Sequence, residues 1–285
     1  MEELMNYIPK RFELLVDGLE WAGYVFFFFV LVELALDYAR SHRSRKYIQS
    51  FVDFGVYLGH ELIGKIAGAS IFLATLFFFS DFSPTRLPVN WLTWATGLIV
   101  ADFLYYWSHR LEHRSRFFWM WHNVHHSSTD YNATTALRLG WLEPLVSWYL
   151  LVPMVVLGFD PFQVLILFQA LLTYQTWIHT QKIGKLGWFD GVFNSPSNHR
   201  AHHGSNPEYI DKNFGAVFIL WDRWFGTYAR ETSKVRYGLT ENIETNNPLK
   251  VNLHEPLALI RGLKKTKGIR QTLRWIFGPP GWRPN

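Results

Sequence analysis

Residues 101–126 read ADFLYYWSHRLEHRSRFFWMWHNVHH, and the character of the chain changes inside that stretch. Its first half ends an apolar run, 91–108, close to the roughly 20 residues a helix needs to cross hydrocarbon. Its second half carries five histidines at helical spacing. His109 and His113 stand at i and i+4, so both rings leave one helical face, and His122, His125 and His126 stand at i, i+3 and i+4. A span that runs into such a pattern points to an all-α membrane bundle with a histidine-rich centre at its mouth.

Downstream, His199, His202 and His203 repeat the i, i+3, i+4 spacing, and His179 stands between the sets. The chain has no cysteine, so a metal would be held through nitrogen and oxygen. Imidazole suits iron, zinc, copper and nickel alike. Nine rings exceed the roughly four ligands that one ion takes, which points to two metals, each with a position left for oxygen or water. His42, His60 and His254 lie outside the sets and read as surface or capping residues.

Working outward, 49% of the residues are hydrophobic and 18% aromatic, too apolar for an average soluble domain. Five segments are candidate spans: about 22–38, 62–80, 91–108, 144–157 and 162–178, the last two joined as a helical hairpin by Gly158-Phe159-Asp160-Pro161. Segment 48–61 is amphipathic and either lies in the interface or extends the second span. The expected fold is therefore a helical membrane bundle of four to five spans under a cytoplasmic helical cap.

Alternating passes place 39–61, 109–143 and 179–285 on one side, with Arg40, Arg43, Arg45, Lys46, Arg110, Arg114, Arg116 and Arg138. The other side has Lys10, Arg11 and Arg86, so the first is cytoplasmic by the positive-inside rule, and all nine histidines fall on it. The N-terminus lacks the pattern of a cleaved signal. The expectation is one integral-membrane domain over 1–285, of a bacterial inner membrane or the endoplasmic reticulum. Within it lie a histidine-box region, 91–230, and a cytoplasmic tail, 231–285, with the basic run Lys264-Lys265-Thr266-Lys267. The net charge of +5 is scattered among tryptophans and apolar spans, which suits loops facing anionic lipid and not nucleic acid.

Asp102 lies two turns before His109 on the same face and either accepts the outer N–H of a ligating imidazole or stands in water at the cavity mouth. Asp211, Asn213 and Asp222 either do similar work or cap turns. Trp91, Trp94, Trp107, Trp119, Trp121, Trp141 and Trp148 read as interfacial anchors. There is no HExxH helix, Glu-x-x-His pair, GxGxxG fingerprint or P-loop. Electrons would have to come from a separate electron-transfer protein or a small reductant.

The motifs Asp102 to His113, Trp121 to Ser127 and Asn198 to Gly204 resemble those of the fatty acid hydroxylase and sterol desaturase superfamily, over about 101–230. The runs Asn206 to Gly215 and Trp221 to Thr227 look most like its alkylglycerol monooxygenase branch. The resemblance implies two iron ions on the nine histidines, with zinc able to occupy such sites in purified material. It also implies O2-dependent hydroxylation, desaturation or ether cleavage of a lipid; a hydrophobic slot between spans is expected to deliver the alkyl carbon to the metals. Tetrahydrobiopterin follows from the resemblance alone. No fused cytochrome b5 is evident. A zinc-dependent membrane hydrolase using metal-activated water is the competing enzyme class, disfavoured by the lack of an obvious carboxylate beside the histidines. A metal carrier would need ionisable groups along a transmembrane path.

Overall fold

The computed structural model describes residues 9–40 and 45–284; His42 and Arg43 lie outside the described residues. Helix α1, Glu13–Arg40, follows a single 3-10 turn, and Lys10–Ala39 together is long and apolar enough to cross a bilayer. Helix α2, Arg45–Ile63, runs through a π-type turn, Gly64–Gly68, into α3, Ala69–Ser80. The two form one apolar unit bent by 45°. Segment 48–61 thus extends the second apolar segment as part of a continuous bent pair.

Helix α4, Trp91–Arg114, opens on a capping box in which Asn90 accepts from the Thr93 N–H and Thr93 accepts from the Asn90 N–H. Ser115, with extended backbone, breaks the rod, and α5, Arg116–His126, begins at once. The expected span 144–157 is a succession of short turns: α6, Glu143–Val146, a 3-10 turn, Ser147–Leu150, and α7, Val152–Val156. At about 1.5 Å per residue its length falls well short of a roughly 30 Å hydrocarbon core. Helix α8, Pro161–Thr176, is capped by Asp160 and packs on α4. By length and composition, the described residues hold one spanning helix, or two with the bent pair, where four to five were expected.

The apolar core lies between α3, α4, α7 and α8, around Leu76, Ala101, Leu151, Met154, Val164 and Leu171. Short helices α9, Phe189–Val192, α10, Pro196–His202, and α11, Leu220–Trp224, follow in the cap. Helices α12, Pro248–Leu263, and α13, Gly268–Phe277, then pack against α5. Residues 248–277, within the expected tail, are thus helical and packed. The buried Arg116 of α5 pairs with Glu255 at 2.7 Å and lies over the Trp275 ring at 3.9 Å.

Two of the charges used for sidedness face inward. Arg116 is one; the other is Arg138, which is 1% exposed and pairs with fully buried Asp53 at 2.7 Å. Neither meets lipid headgroups, and the charge asymmetry is that much smaller. The tryptophans also divide. Trp91 and Trp107 are exposed, whereas Trp121 is buried and Trp141 donates its indole N–H to the Val56 carbonyl.

Candidate metal centre

Each histidine set has its own scaffold. His109 and His113 occupy the last turns of α4, and the one-residue break at Ser115 folds α5 back beside them with His122, His125 and His126. His179 follows α8, and α10, with Ser195 as N-cap and Pro196 at its first turn, carries His199 and His202 and ends before His203. All nine rings meet.

They meet as two groups: His109, His113, His122, His126 and His202 in one, and His125, His179, His199 and His203 in the other. Within each, one nitrogen per ring lies within 4.8 Å of the rest. The two HxxHH motifs divide in opposite senses. The i and i+4 rings of the first, His122 and His126, join the first group, and its i+3 ring, His125, joins the second. In the other motif His199 and His203 join the second group and His202 the first. The groups adjoin, with the His126 and His203 rings stacked at 4.4 Å.

The outer nitrogens decide what the inner ones carry. Nδ1 donates to a backbone carbonyl at Phe214 from His109 (2.8 Å), at Arg138 from His125 (3.3 Å), at Gln175 from His179 (2.8 Å) and at Lys212 from His202 (2.8 Å). A carbonyl only accepts, so these rings hold their proton on Nδ1 and present a lone pair on Nε2. Nε2 of His125 and of His179 nevertheless face each other at 3.1 Å. Two lone pairs at that distance repel unless a cation sits between them. Nε2 of His113 and of His202 are buried without a hydrogen-bond partner. The donor set fits metal ions; a proton shared between His125 and His179 would require an imidazolium, which burial disfavours at both rings.

Burial acts in the same direction. It holds His202 down to about 4, against a partial offset from the Lys212 carbonyl. His126, His199 and His203 are pushed well below the ordinary histidine value by burial first and neighbouring rings second. Neutral imidazole is the form that binds metal.

The acids of the sequence reading take other places. Asp102 does not touch a histidine and is fully buried; its oxygens accept from the Val217 and Phe218 N–H groups and the Trp221 indole. Asp222, also buried, accepts from the N–H groups of Phe214 and Gly215 and from the Thr227 hydroxyl. Both carboxylates brace the loop whose Phe214 carbonyl holds His109. Asn213, in the left-handed region at φ 59°, donates to the Asn198 and Ala229 carbonyls. Asp211 lies 3.8 Å from His113 Nδ1 and 3.1 Å from Arg114.

Four contributors were missed. Glu112, inside the first motif, reaches His122 Nδ1 at 3.3 Å and accepts from Tyr149 and Trp121. A carboxylate therefore does stand beside the histidines, but on the outer nitrogen. Glu33 of α1 accepts from the Ala133 N–H and the Thr180 hydroxyl, both at 2.5 Å, tying α1 to the residue after His179. An acid inside so apolar a run was the available signal. The carbonyls of Phe214 and Lys212 carry no side-chain signal at all. Of the histidines set aside, His60 meets the Gly140 carbonyl at 3.1 Å. A cavity of about 500 Å³ reaches His113, His126, His202 and His203 through a mixed lining that includes Trp119, Asn123 and Asp211.

Residues 94–227 match the fatty acid hydroxylase family. The chain is 35% identical over 278 residues to an alkylglycerol monooxygenase of Xenopus tropicalis, covering 96% of this chain and 62% of that protein. Against the alkylglycerol monooxygenase of Homo sapiens it is 42% identical over 192 residues, 67% of this chain and 43% of the relative. Against the ornithine lipid hydroxylase OlsE of Rhizobium tropici it is 27% identical over 165 residues, 57% and 49% of the two. The chain thus spans about half the length of these relatives. No solved structure matches it.

Proposed function

Because residues 94–227 belong to the fatty acid hydroxylase family, we propose that this chain is a membrane-bound lipid hydroxylase of the monooxygenase type, with two metal ions held by its nine histidines. The observation that carries the proposal is the pair of facing Nε2 lone pairs on His125 and His179 in one group, together with the orphaned Nε2 atoms of His113 and His202 in the other. His109, His113, His122, His126 and His202 would hold one ion, and His125, His179, His199 and His203 the other. Ligand type alone suits iron, copper, nickel and zinc alike, and zinc has no redox chemistry; the ions are assigned as iron on the family resemblance. When bound, the pair would supply O2 activation for insertion of one oxygen atom into a lipid C–H bond.

The chain's own groups supply geometry. The carbonyls of Phe214, Arg138, Gln175 and Lys212 fix the tautomer of four rings, and Glu112 orients His122 from outside. Asp102, Asp222 and Asn213 hold the 213–218 segment, and Asp211 stands 3.8 Å from His113 Nδ1. Hydroxylation of R–H to R–OH with release of water consumes O2, two electrons and two protons. A separate electron-transfer protein or small reductant supplies the electrons, and the cavity beside His113 and His202 gives it a route. The apolar chain of the lipid enters from the membrane, with the histidines on the cytoplasmic side.

Comparing lipids from membranes with and without the protein, under labelled O2 with iron and a reductant supplied, tests this reading. One arm should contain a tetrahydropterin and another a ferredoxin-type donor. A labelled hydroxyl, or a labelled aldehyde read before exchange, that requires His109 and His203 supports it. Products labelled only from water and formed equally well without air would make the chain a hydrolase.

A further inference from the structure

We propose that α12 and α13 form an in-plane anchor that rests on an anionic lipid surface, in place of the cytoplasmic tail expected from the sequence. Along α12, Leu249, Leu253, Leu257 and Ile260 recur at i, i+4, i+8 and i+11, each 39–54% exposed. Along α13, Ile269, Leu273 and Phe277 recur at i, i+4 and i+8 and are 72%, 48% and 53% exposed. Both stripes lie opposite packed faces. Val251 and Glu255 are buried on the inner face of α12, and Trp275 seats its ring against Gly262, where a Cβ would come within 2.0 Å of it. The Trp275 indole donates to the Leu259 carbonyl at 2.8 Å, so the two helices hold one fixed geometry.

Charge selects the occupant. Residues 261–277 carry exposed Arg261, Lys264, Lys265, Lys267, Arg270 and Arg274 and no acid. An apolar stripe flanked by cations belongs in the headgroup and acyl boundary of an anionic leaflet. Near such a surface each cation is worth about fivefold in partitioning. A second copy set against the stripe would bring the same cations face to face. Through its inner face, at Val251, α12 packs on Val52 and Val56 of α2, half of the bent apolar pair, whose Phe51, Leu58 and Leu62 are exposed. The anchor would hold the cap, and Arg116 with it, at a fixed depth over the membrane.

The test uses the full chain, which has no native cysteine. An environment-sensitive fluorophore is attached at Leu257→Cys, Leu273→Cys or, as control, Lys234→Cys. Each labelled protein is placed in nanodiscs of phosphatidylcholine alone or with phosphatidylglycerol. Labels at 257 and 273 should be quenched at least twofold more than the control by doxyl groups on the acyl chains. Phosphatidylglycerol should deepen the effect, and K264E/K265E/K267E should remove that increment. Equal quenching of all three labels by aqueous iodide in both lipids would overturn the proposal. So would label protection in detergent alone accompanied by cross-linking between copies, which would assign the stripe to a second copy. Neither readout depends on enzyme activity, so failure here leaves the hydroxylase reading standing.

Discussion

Along α1, Leu14, Trp21, Tyr24, Phe28 and Leu31 face outward, each more than 60% exposed, while between His109 and Thr227 the interior is filled with histidines, Asn213, Asp222 and Arg138. A water-soluble protein is arranged the other way round. The contrast separates two tasks. The helices before residue 81 put apolar surface outside, where lipid can cover it. The later part collects polar groups inside, where bound ions and backbone carbonyls can satisfy them. On the proposed reading, lipid would cover the first surface and bound ions would satisfy the second.

That contrast can be broken most severely by acid. Buried His202, held to about 4, and His126, His199 and His203, held well below 6.5, are neutral in the folded chain and charge readily in the unfolded one. The unfolded state then binds more protons between about pH 6.5 and 4, so stability falls as pH falls through that window. The slope is up to about 1.4 kcal/mol per pH unit for each ring. Thermal melts of metal-free protein in detergent should drop steeply below pH 6.5. A flat profile down to pH 4 would mean the rings are not buried neutral.

Removing one side of the Arg138–Asp53 pair comes next. Arg138→Ala leaves Asp53 buried and uncompensated and should cost about 3–5 kcal/mol in a denaturation series. A loss under 1 kcal/mol would return Arg138 to the surface and restore its place in the charge asymmetry. Glu112→Gln keeps the shape but removes the carboxyl group behind His122, and should weaken metal binding about 10–100-fold in competition with a chelator. Unchanged affinity would make Glu112 a packing residue only. The smallest effect belongs to the outer face. Phe28→Ser should change stability in detergent by less than about 0.5 kcal/mol, yet reduce recovery in the membrane fraction. A large loss in detergent would place Phe28 in a protein interior.

The sequence exposed the histidines because metal-ligand spacing is local: two HxxHH sets and one HxxxH can be read within a single helical turn or two. What sequence could not disclose depends on contacts far along the chain. The partition of each HxxHH between two groups follows from how α5 and α10 face one another. Asp102 lies on the face of α4 that carries His109, yet it binds a loop more than a hundred residues away. Arg138 and Arg116 count as surface charge by residue type and are buried by pairing partners 85 and 139 residues distant. Hydropathy overstated the spans for a related reason: apolar residues of 144–157 fill the core beside α3 and α8 from short turns, Leu150, Leu151, Met154 and Val155 among them.

The most direct measurement is the metal content of protein purified without air or chelator, set beside His113→Ala and His199→Ala, one from each group. About two ions per chain are expected in the unaltered protein, with each variant losing one ion and retaining the other. One ion per chain, or a single ion lost only on substitution in one group, would contradict a two-metal centre built on nine histidines.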